Sequence, residues 1–322
     1  MKIVDLHCDT IMRLYHGEHL AGATDGHVSI EKLRQGESLC QCFAIFVPWG
    51  PEAVRQGYPA DPKEYFRLAC AAYQRELERC RDSIRPAYSA SGILENERKG
   101  YLSAMLTVED CVTLDGRVEA VDEYYAQGIR MAALTWNHEN SLGWPNRPDP
   151  AEHNRGLKPF GIEAVRRMNE LGILVDVSHL SEGGFWDVAR ECAAAGRPFA
   201  ASHSCARALC DVPRNLTDAQ LRAIGDAGGV VGVNYYARFL RPDARTDDAP
   251  TAIADVLRHL RHIVNTAGIA SAALGSDYDG MGSPLEWGDA GGQQALVRAL
   301  EREYTPSEVE QICRGNALRV LQ

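Results

Sequence analysis

The sequence predicts an α/β fold, a single (β/α)8 TIM-type barrel over residues 1–322 with a metal site at the C-terminal ends of the strands. Three observations carry that reading. Short β-branched and aliphatic runs alternate eight times with segments of helical spacing, the rhythm of a parallel sheet built from strand–helix units. No G-x-G-x-x-G turn follows the first run and no phosphate-binding loop occurs, which argues against a doubly wound nucleotide-binding sheet. The polar residues that end the runs are histidines and carboxylates, and barrels build their sites at the carboxyl ends of strands.

The first strand lies in Ile3-Val4-Asp5-Leu6-His7-Cys8-Asp9-Thr10, a run too short for a helix. On an extended strand His7 and Asp9 share a face and can converge, while Cys8 points away as a small core residue. A polar stretch follows to about residue 28, then a short helix from Ser29, its N-cap, to Gln35. Leu39 to Val47 is the second strand, and Pro48 to Pro62, rich in Pro and Gly, reads as loop. Pro62 to Arg81 has the apolar spacing of a long amphipathic helix. Leu102 to Val108, the third strand, ends in Glu109-Asp110. A helix near Val118 to Gln127 is closed by Gly128 before the fourth strand, Ile129 to Thr135. Trp136 to Pro159, dense in Asn, Pro, Gly, Trp and His, reads as a functional lid.

The rhythm then resumes. A helix from Phe160 to Leu171 stops at Gly172, and the fifth strand, Ile173 to Val177, runs into Ser178-His179. Ser181 to Ala194 is helical, and the sixth strand, Pro198 to Ala201, runs into Ser202-His203-Ser204. Thr217 and Gln220 are spaced as a capping box for a helix to Ala227. Val230 to Asn234 is the seventh strand, Ala252 to Ala267 a helix, and Ala272 to Leu274 the eighth strand, ending in Gly275-Ser276-Asp277. Helices near Gly292 to Arg302 and Ser307 to Arg314 close the chain.

A chain of 322 residues with 45% hydrophobic content has enough apolar surface for one large core. The net charge of −10, with no basic block, argues against nucleic-acid or membrane partners and for a small-molecule substrate. With no stretch of membrane-spanning length and no room for a signal peptide before the first strand, a cytoplasmic protein is expected. The ten cysteines are scattered without a C-x-x-C pair, so reduced, buried thiols are expected rather than disulfides or a zinc ribbon.

His7 and Asp9, Glu109, His179, His203 and Asp277 end five different predicted strands on the same face. Singly, each reads as a cap or a turn residue; jointly, three imidazoles and three carboxylates read as a metal centre. The donors exceed four, so two metals fit better than one, and a carboxylate such as Glu109 can bridge. The remaining histidines, His16, His19, His27, His153, His259 and His262, read as loop or helix-surface residues.

The ordered segments Asp5-Leu6-His7-Cys8-Asp9, Val108-Glu109, Asp176-Val177-Ser178-His179, Ser202-His203-Ser204 and Gly275-Ser276-Asp277-Tyr278-Asp279-Gly280 resemble the membrane (renal) dipeptidase family. The likeness runs nearly end to end, down to Gly315-Asn316-Ala317-Leu318-Arg319-Val320. It implies a zinc-dependent dipeptidase, a metalloprotease and hydrolase of free dipeptides that includes L-Xaa-D-Xaa, possessing two Zn2+ per chain. The resemblance implies that His7 and Asp9 hold one metal, His179 and His203 the other, and that Glu109 and a hydroxide bridge them. Asp277 would be the catalytic acid/base, Arg214 would bind the substrate carboxylate and Tyr236 would add a second contact, with Asp279 left as a turn residue. A homodimer is implied as well.

One departure stands out: the family has L-T-H after the fourth strand, and this chain has Leu134-Thr135-Trp136-Asn137-His138. Trp136 stands where the family's histidine contacts the tetrahedral intermediate, so the expectation passes to His138 as a catalytic electrophile, to Asn137 as a donor to substrate, or to loss of that role. Two rivals keep the barrel and its metals: an N-acyl-amino-acid deacylase or lactonase, and a non-catalytic metal-binding scaffold protein.

Overall fold

Parallel strands cannot be joined by tight hairpins, so each must be followed by a crossover before its neighbour is laid down. The computed structural model, which describes residues 1–322, has that plan throughout. Its strands are β1 (Ile3–Cys8), β2 (Ser38–Phe46), β3 (Ile84–Pro86), β4 (Leu102–Glu109), β5 (Ile129–Ala133), β6 (Leu174–Asp176), β7 (Ala200–Ala201), β8 (Val230–Val233) and β9 (Ala272–Leu274). Every pairing between them is parallel. The order β2-β1-β9-β8-β7-β6-β5-β4 is closed by pairing of β2 with β4, which makes the predicted eight-stranded barrel.

β3 is a ninth strand that the sequence reading lacks. It pairs with Leu102–Ala104 at the start of β4, while β5 takes the same edge from Leu106 onward. Three residues ending in a proline give no period to read. Short helices at Thr10–Tyr15, Gly50–Arg55 and Ala90–Arg98 were likewise not expected. The second of these falls in the predicted Pro48 to Pro62 loop; its proline sits in the first turn, where the missing N–H costs nothing.

Elsewhere the local signals hold. Ser29 caps the helix Ile30–Gln35, and Thr217 and Gln220 form the capping box of Asp218–Asp226. Gly172 ends Pro159–Leu171 in the left-handed conformation. All ten cysteines are buried and unpaired. No helix is long and apolar enough to cross a membrane.

Two apolar clusters hold the barrel. The larger, of 70 buried residues, lies between strands and helices. The smaller, of 16, draws on all eight barrel strands, among them Leu6, Cys42, Met105, Met131 and Leu174, and so fills the interior. Ala317, Val320 and Leu321 belong to this cluster, so the C-terminal helix Asn316–Val320 plugs the barrel. Gly232 and Gly275, facing each other from β8 and the end of β9, have no room for a Cβ: each would meet the Ser202 carbonyl oxygen, at 2.0 and 1.8 Å.

His259 corrects the expectation of a surface residue. It is fully buried on the helix Ile253–Ala267, where Nδ1 accepts from the Ala206 amide at 3.0 Å and Nε2 donates to the Leu240 carbonyl at 2.9 Å. Acceptance at Nδ1 requires the neutral ring, and burial pushes its pKa down to about 4 from 6.5. Between those values the unfolded chain takes up a proton that the folded chain refuses, so this contribution is complete above pH 6.5 and is lost as pH falls toward 4. Denaturant unfolding from pH 7 to pH 4 should therefore lose about 3 kcal/mol more in the wild type than in His259→Gln.

Candidate metal centre and substrate cavity

His7 is the next-to-last residue of β1, and the β1–β2 register is irregular between Asp5 and Cys8. Asp9 lies past the strand end, at the N-cap of Thr10–Tyr15, yet its carboxylate makes no capping hydrogen bond. A bulge and a withheld cap, rather than strict alternation, bring the pair together: His7 Nε2 is 3.4 Å from Asp9 Oδ2. Glu109 ends β4 and presents both oxygens. Oε2 is 3.3 Å from His7 Nε2, and Oε1 is 2.9 Å from His179 Nε2 and 3.4 Å from His203 Nε2. Asp277 Oδ1 closes the group, 3.9 Å from His7 Nε2. All six expected residues thus meet, each 9% exposed or less.

Two of them arrive by unfavourable backbone. His179 and Asp277 have φ of +66° and +64°, left-handed values that non-glycine residues adopt at a cost. The turns leaving β6 and β9 are therefore shaped to aim side chains inward.

The residues beneath set the imidazole tautomers. Ser202 Oγ donates to Asp176 Oδ2 and accepts from His203 Nδ1 at 2.7 Å. His179 Nδ1 donates to Asn137 Oδ1 at 3.3 Å. Each ring therefore turns an Nε2 lone pair into the site, and these two nitrogens face each other at 3.0 Å. Lone pairs so close repel unless a cation lies between or beside them. His7 Nε2 and Asp9 Oδ1 are buried with no hydrogen-bond partner, a second sign of the same demand. The sets His7, Glu109, His203 and His7, Asp9, Asp277 each bring their donor atoms within 4.8 Å of one another, so the residues fit a metal centre.

The electrostatics agree. Burial opposes ionisation of Glu109, but the positive charge of His7, foremost of the imidazoles around it, holds its carboxyl well below the usual range. Burial, followed by the Arg214 charge, lowers His179 to about 4, and burial with His7 lowers His203, so both remain neutral donors. Burial and the neighbouring Glu109 push Asp9 well up. Its ionised form thus needs positive charge.

A cavity of about 540 Å³ opens over Asp9, Glu109, His179 and Asp277. Phe46, Trp49, Trp136, Tyr236 and Phe239 line it, with Asn137, His138 and Asp279. His138 packs edge-on against Trp49 and Trp136, with ring centroids at 5.6 and 5.8 Å. The Tyr236 hydroxyl donates to Asp247 at the rim. Arg214 is buried behind Phe239, its terminal nitrogens donating to Ser204 Oγ at 2.6 Å and the His203 carbonyl at 2.7 Å. Asp279 serves the turn, accepting from Thr10 Oγ1 and the His27 amide, both at 2.6 Å.

Several contributors carried no role in the sequence reading. Asp176 and Ser202 orient His203, and Asn234 Nδ2 donates to Asp277 Oδ2 at 2.9 Å. Their signal was position alone, each within three residues of a predicted site residue. Ser202→Ala should leave the fold intact and weaken metal binding about 10- to 100-fold in a chelator competition titration, because His203 loses the acceptor for Nδ1–H.

Comparison with known proteins agrees with this geometry. The profile of the family described as membrane dipeptidase (peptidase family M19) matches residues 1–322. An uncharacterized protein in the pqqA 5′ region of Klebsiella pneumoniae is 36% identical over 271 residues, 82% of this chain and 97% of that protein. The crystal structure of dipeptidase AC, a metallo peptidase of family M19, superposes with a TM-score of 0.89 at 27% identity, covering 100% of this chain and 98% of its own. A metallo peptidase from Rhodobacter sphaeroides, liganded with a phosphinate mimic of the dipeptide L-Ala-D-Ala, superposes at 0.87 with 27% identity and the same coverage.

Proposed function

The chain belongs to the membrane dipeptidase family, and from that premise we propose that it is a zinc-dependent dipeptidase hydrolysing the peptide bond of free dipeptides, L-Xaa-D-Xaa among them. The observation that carries this is the shared Glu109 carboxylate, with His7 at one oxygen and His179 and His203 at the other. The phosphinate mimic of L-Ala-D-Ala on the Rhodobacter sphaeroides protein supports the stereochemical part.

His7 with Asp9, and His179 with His203, would each hold one zinc ion, with Glu109 common to both. When bound, the pair acidifies water and polarises a carbonyl. Asp277 is the base. Asn234 donates to its Oδ2, and the imidazole charge beside it holds its carboxyl below the usual range against the effect of burial, so it is ionised and ready to take the proton of the attacking water. The same carboxyl then returns that proton to the leaving amine. Asn137 has its Oδ1 turned to His179, which leaves its amide N–H groups for the developing oxyanion; His138, on the same cavity wall, is the second candidate for that donation.

Arg214 is assigned to the terminal carboxylate of the substrate. Its terminal nitrogens retain N–H groups beyond the bonds to Ser204 and His203, and its Nε has no partner. Tyr236 is assigned a second contact to the same group, its hydroxyl exchanging Asp247 for the substrate carboxylate.

Elemental analysis together with a panel of L-Xaa-L-Xaa and L-Xaa-D-Xaa dipeptides tests the reading: about two zinc ions per chain and turnover are expected. Metal without dipeptide turnover would replace it with deacylase or lactonase chemistry. Asp277→Asn should keep the metal and lose about 10²- to 10⁴-fold in kcat. Arg214→Ala should raise KM for free dipeptides and spare their C-terminal amides; equal loss on both would leave Arg214 only the task of holding the His203 segment.

A further inference from the structure

We propose that Phe46, Trp49 and Trp136 form a side-chain pocket that selects dipeptides with a large apolar, above all aromatic, first residue, and that Asp110 is the residue that positions this pocket. The inference rests on the dipeptidase reading and names the substrate class for it.

The wall is tied directly to the metal centre. Phe46 is the last residue of β2 and pairs in register with Glu109. The Trp136 ring stands edge-on to Phe46 at 4.7 Å and lies 6.4 Å from the His179 ring. His138 and Trp49 continue the surface outward. Phe46, Trp49 and Trp136 all line the cavity, with Phe46 and Trp49 half-buried. An apolar face left open beside a reacting centre gains its contacts from substrate.

Asp110 holds this wall together. It follows Glu109, is completely buried and has a left-handed φ of +69°. Its Oδ2 accepts from Trp49 Nε1 at 3.0 Å and the Trp136 amide at 3.3 Å, and its Oδ1 from Asn140 Nδ2 at 2.7 Å and the Val112 amide at 2.9 Å. One carboxylate thereby fixes the indole of one tryptophan and the backbone of the other. The charged groups at the rim are already engaged: Glu52 with Arg55 and Gln56, and Asp247 with Tyr236 and Arg238. The open apolar surface remains to be matched, and Phe46, Trp49 and Trp136 are the part of it that adjoins Glu109 and His179.

Strand order decides which residue of the dipeptide it meets. The wall follows β2, β4 and β5, whereas Arg214 and Tyr236 follow β7 and β8, across the ring. A carboxylate held on the β7–β8 side sends the first residue toward the wall.

The test compares kcat/KM of the zinc-loaded enzyme for L-Phe-L-Ala, L-Ala-L-Phe and L-Ala-L-Ala. L-Phe-L-Ala should exceed L-Ala-L-Ala on the order of tenfold or more, mainly through KM. That ratio should collapse toward one in Phe46→Ala and Trp49→Ala. Asp110→Asn should collapse it too, by raising KM for L-Phe-L-Ala with zinc content retained; a purely structural role would lower all three substrates alike. Equal turnover of L-Phe-L-Ala and L-Ala-L-Ala by the wild type, or a preference that follows the second residue, overturns the pocket and leaves the dipeptidase reading standing. Turnover of none of the three, nor of L-Phe-D-Ala and L-Ala-D-Ala, overturns both. Should a variant fail to fold, the wild-type ratios alone decide.

Discussion

A carboxylate that is 2% exposed survives in ionised form only where positive charge or donors surround it, and Glu109 is arranged to receive them at both oxygens. It ends β4, the strand that closes the barrel on β2, so the bridging position is set by closure of the sheet. His7 approaches one oxygen from β1, while His179 and His203 approach the other from the ends of β6 and β7. Removing any of these strands from register would separate groups that lie within 4 Å.

Beneath the centre, the same polar device appears twice. Asp5 Oδ1 accepts from the His7 amide at 3.2 Å and the Ser276 amide at 2.9 Å, and Asp176 Oδ1 accepts from the Ser178 and Ser202 amides, both at 2.9 Å. Each aspartate links its own strand end to a neighbour, β1 to the end of β9 and β6 to the end of β7. Four backbone N–H groups that strand irregularity would leave unpaired are satisfied in this way. The device also stiffens the segments carrying His7, Asp277, His179 and His203, which limits their motion in a site that must stay ordered.

Above the centre the walls are unequal. The β8 side presents Tyr236 and Phe239 with Arg214 buried behind the latter, whereas the β2–β5 side presents Phe46, Trp49 and Trp136. Trp136, standing where the family resemblance calls for a histidine, has its ring against Phe46 and its amide on Asp110. Replacing an imidazole by an indole there exchanges a polar contact for apolar surface. The substitution therefore bears on which side chains fit, while the six clustered residues keep their geometry.

Alternation of apolar runs with helical spacing determined the barrel, because a parallel strand must be followed by a crossover and both have distinct periods. The six clustered residues were legible for a related reason: a strand end is visible in sequence, and in a barrel all carboxyl ends lie on one face. Cap signals at Ser29, Thr217 and Gly172 are local hydrogen-bonding rules and transferred unchanged. Features that depend on contacts distant in the chain were decided only by the tertiary structure. His259 shares the apolar face of its helix with Val256, Leu260 and Ile263, but its partners Ala206 and Leu240 come from elsewhere in the chain and are set by the core. Convergence of His7 with Asp9 depends on an irregular register and a withheld cap rather than on the period of two. Ser202, Asn234 and Asp110 acquired their tasks from partners 26, 43 and 61 residues away, separations at which sequence spacing carries no geometric information.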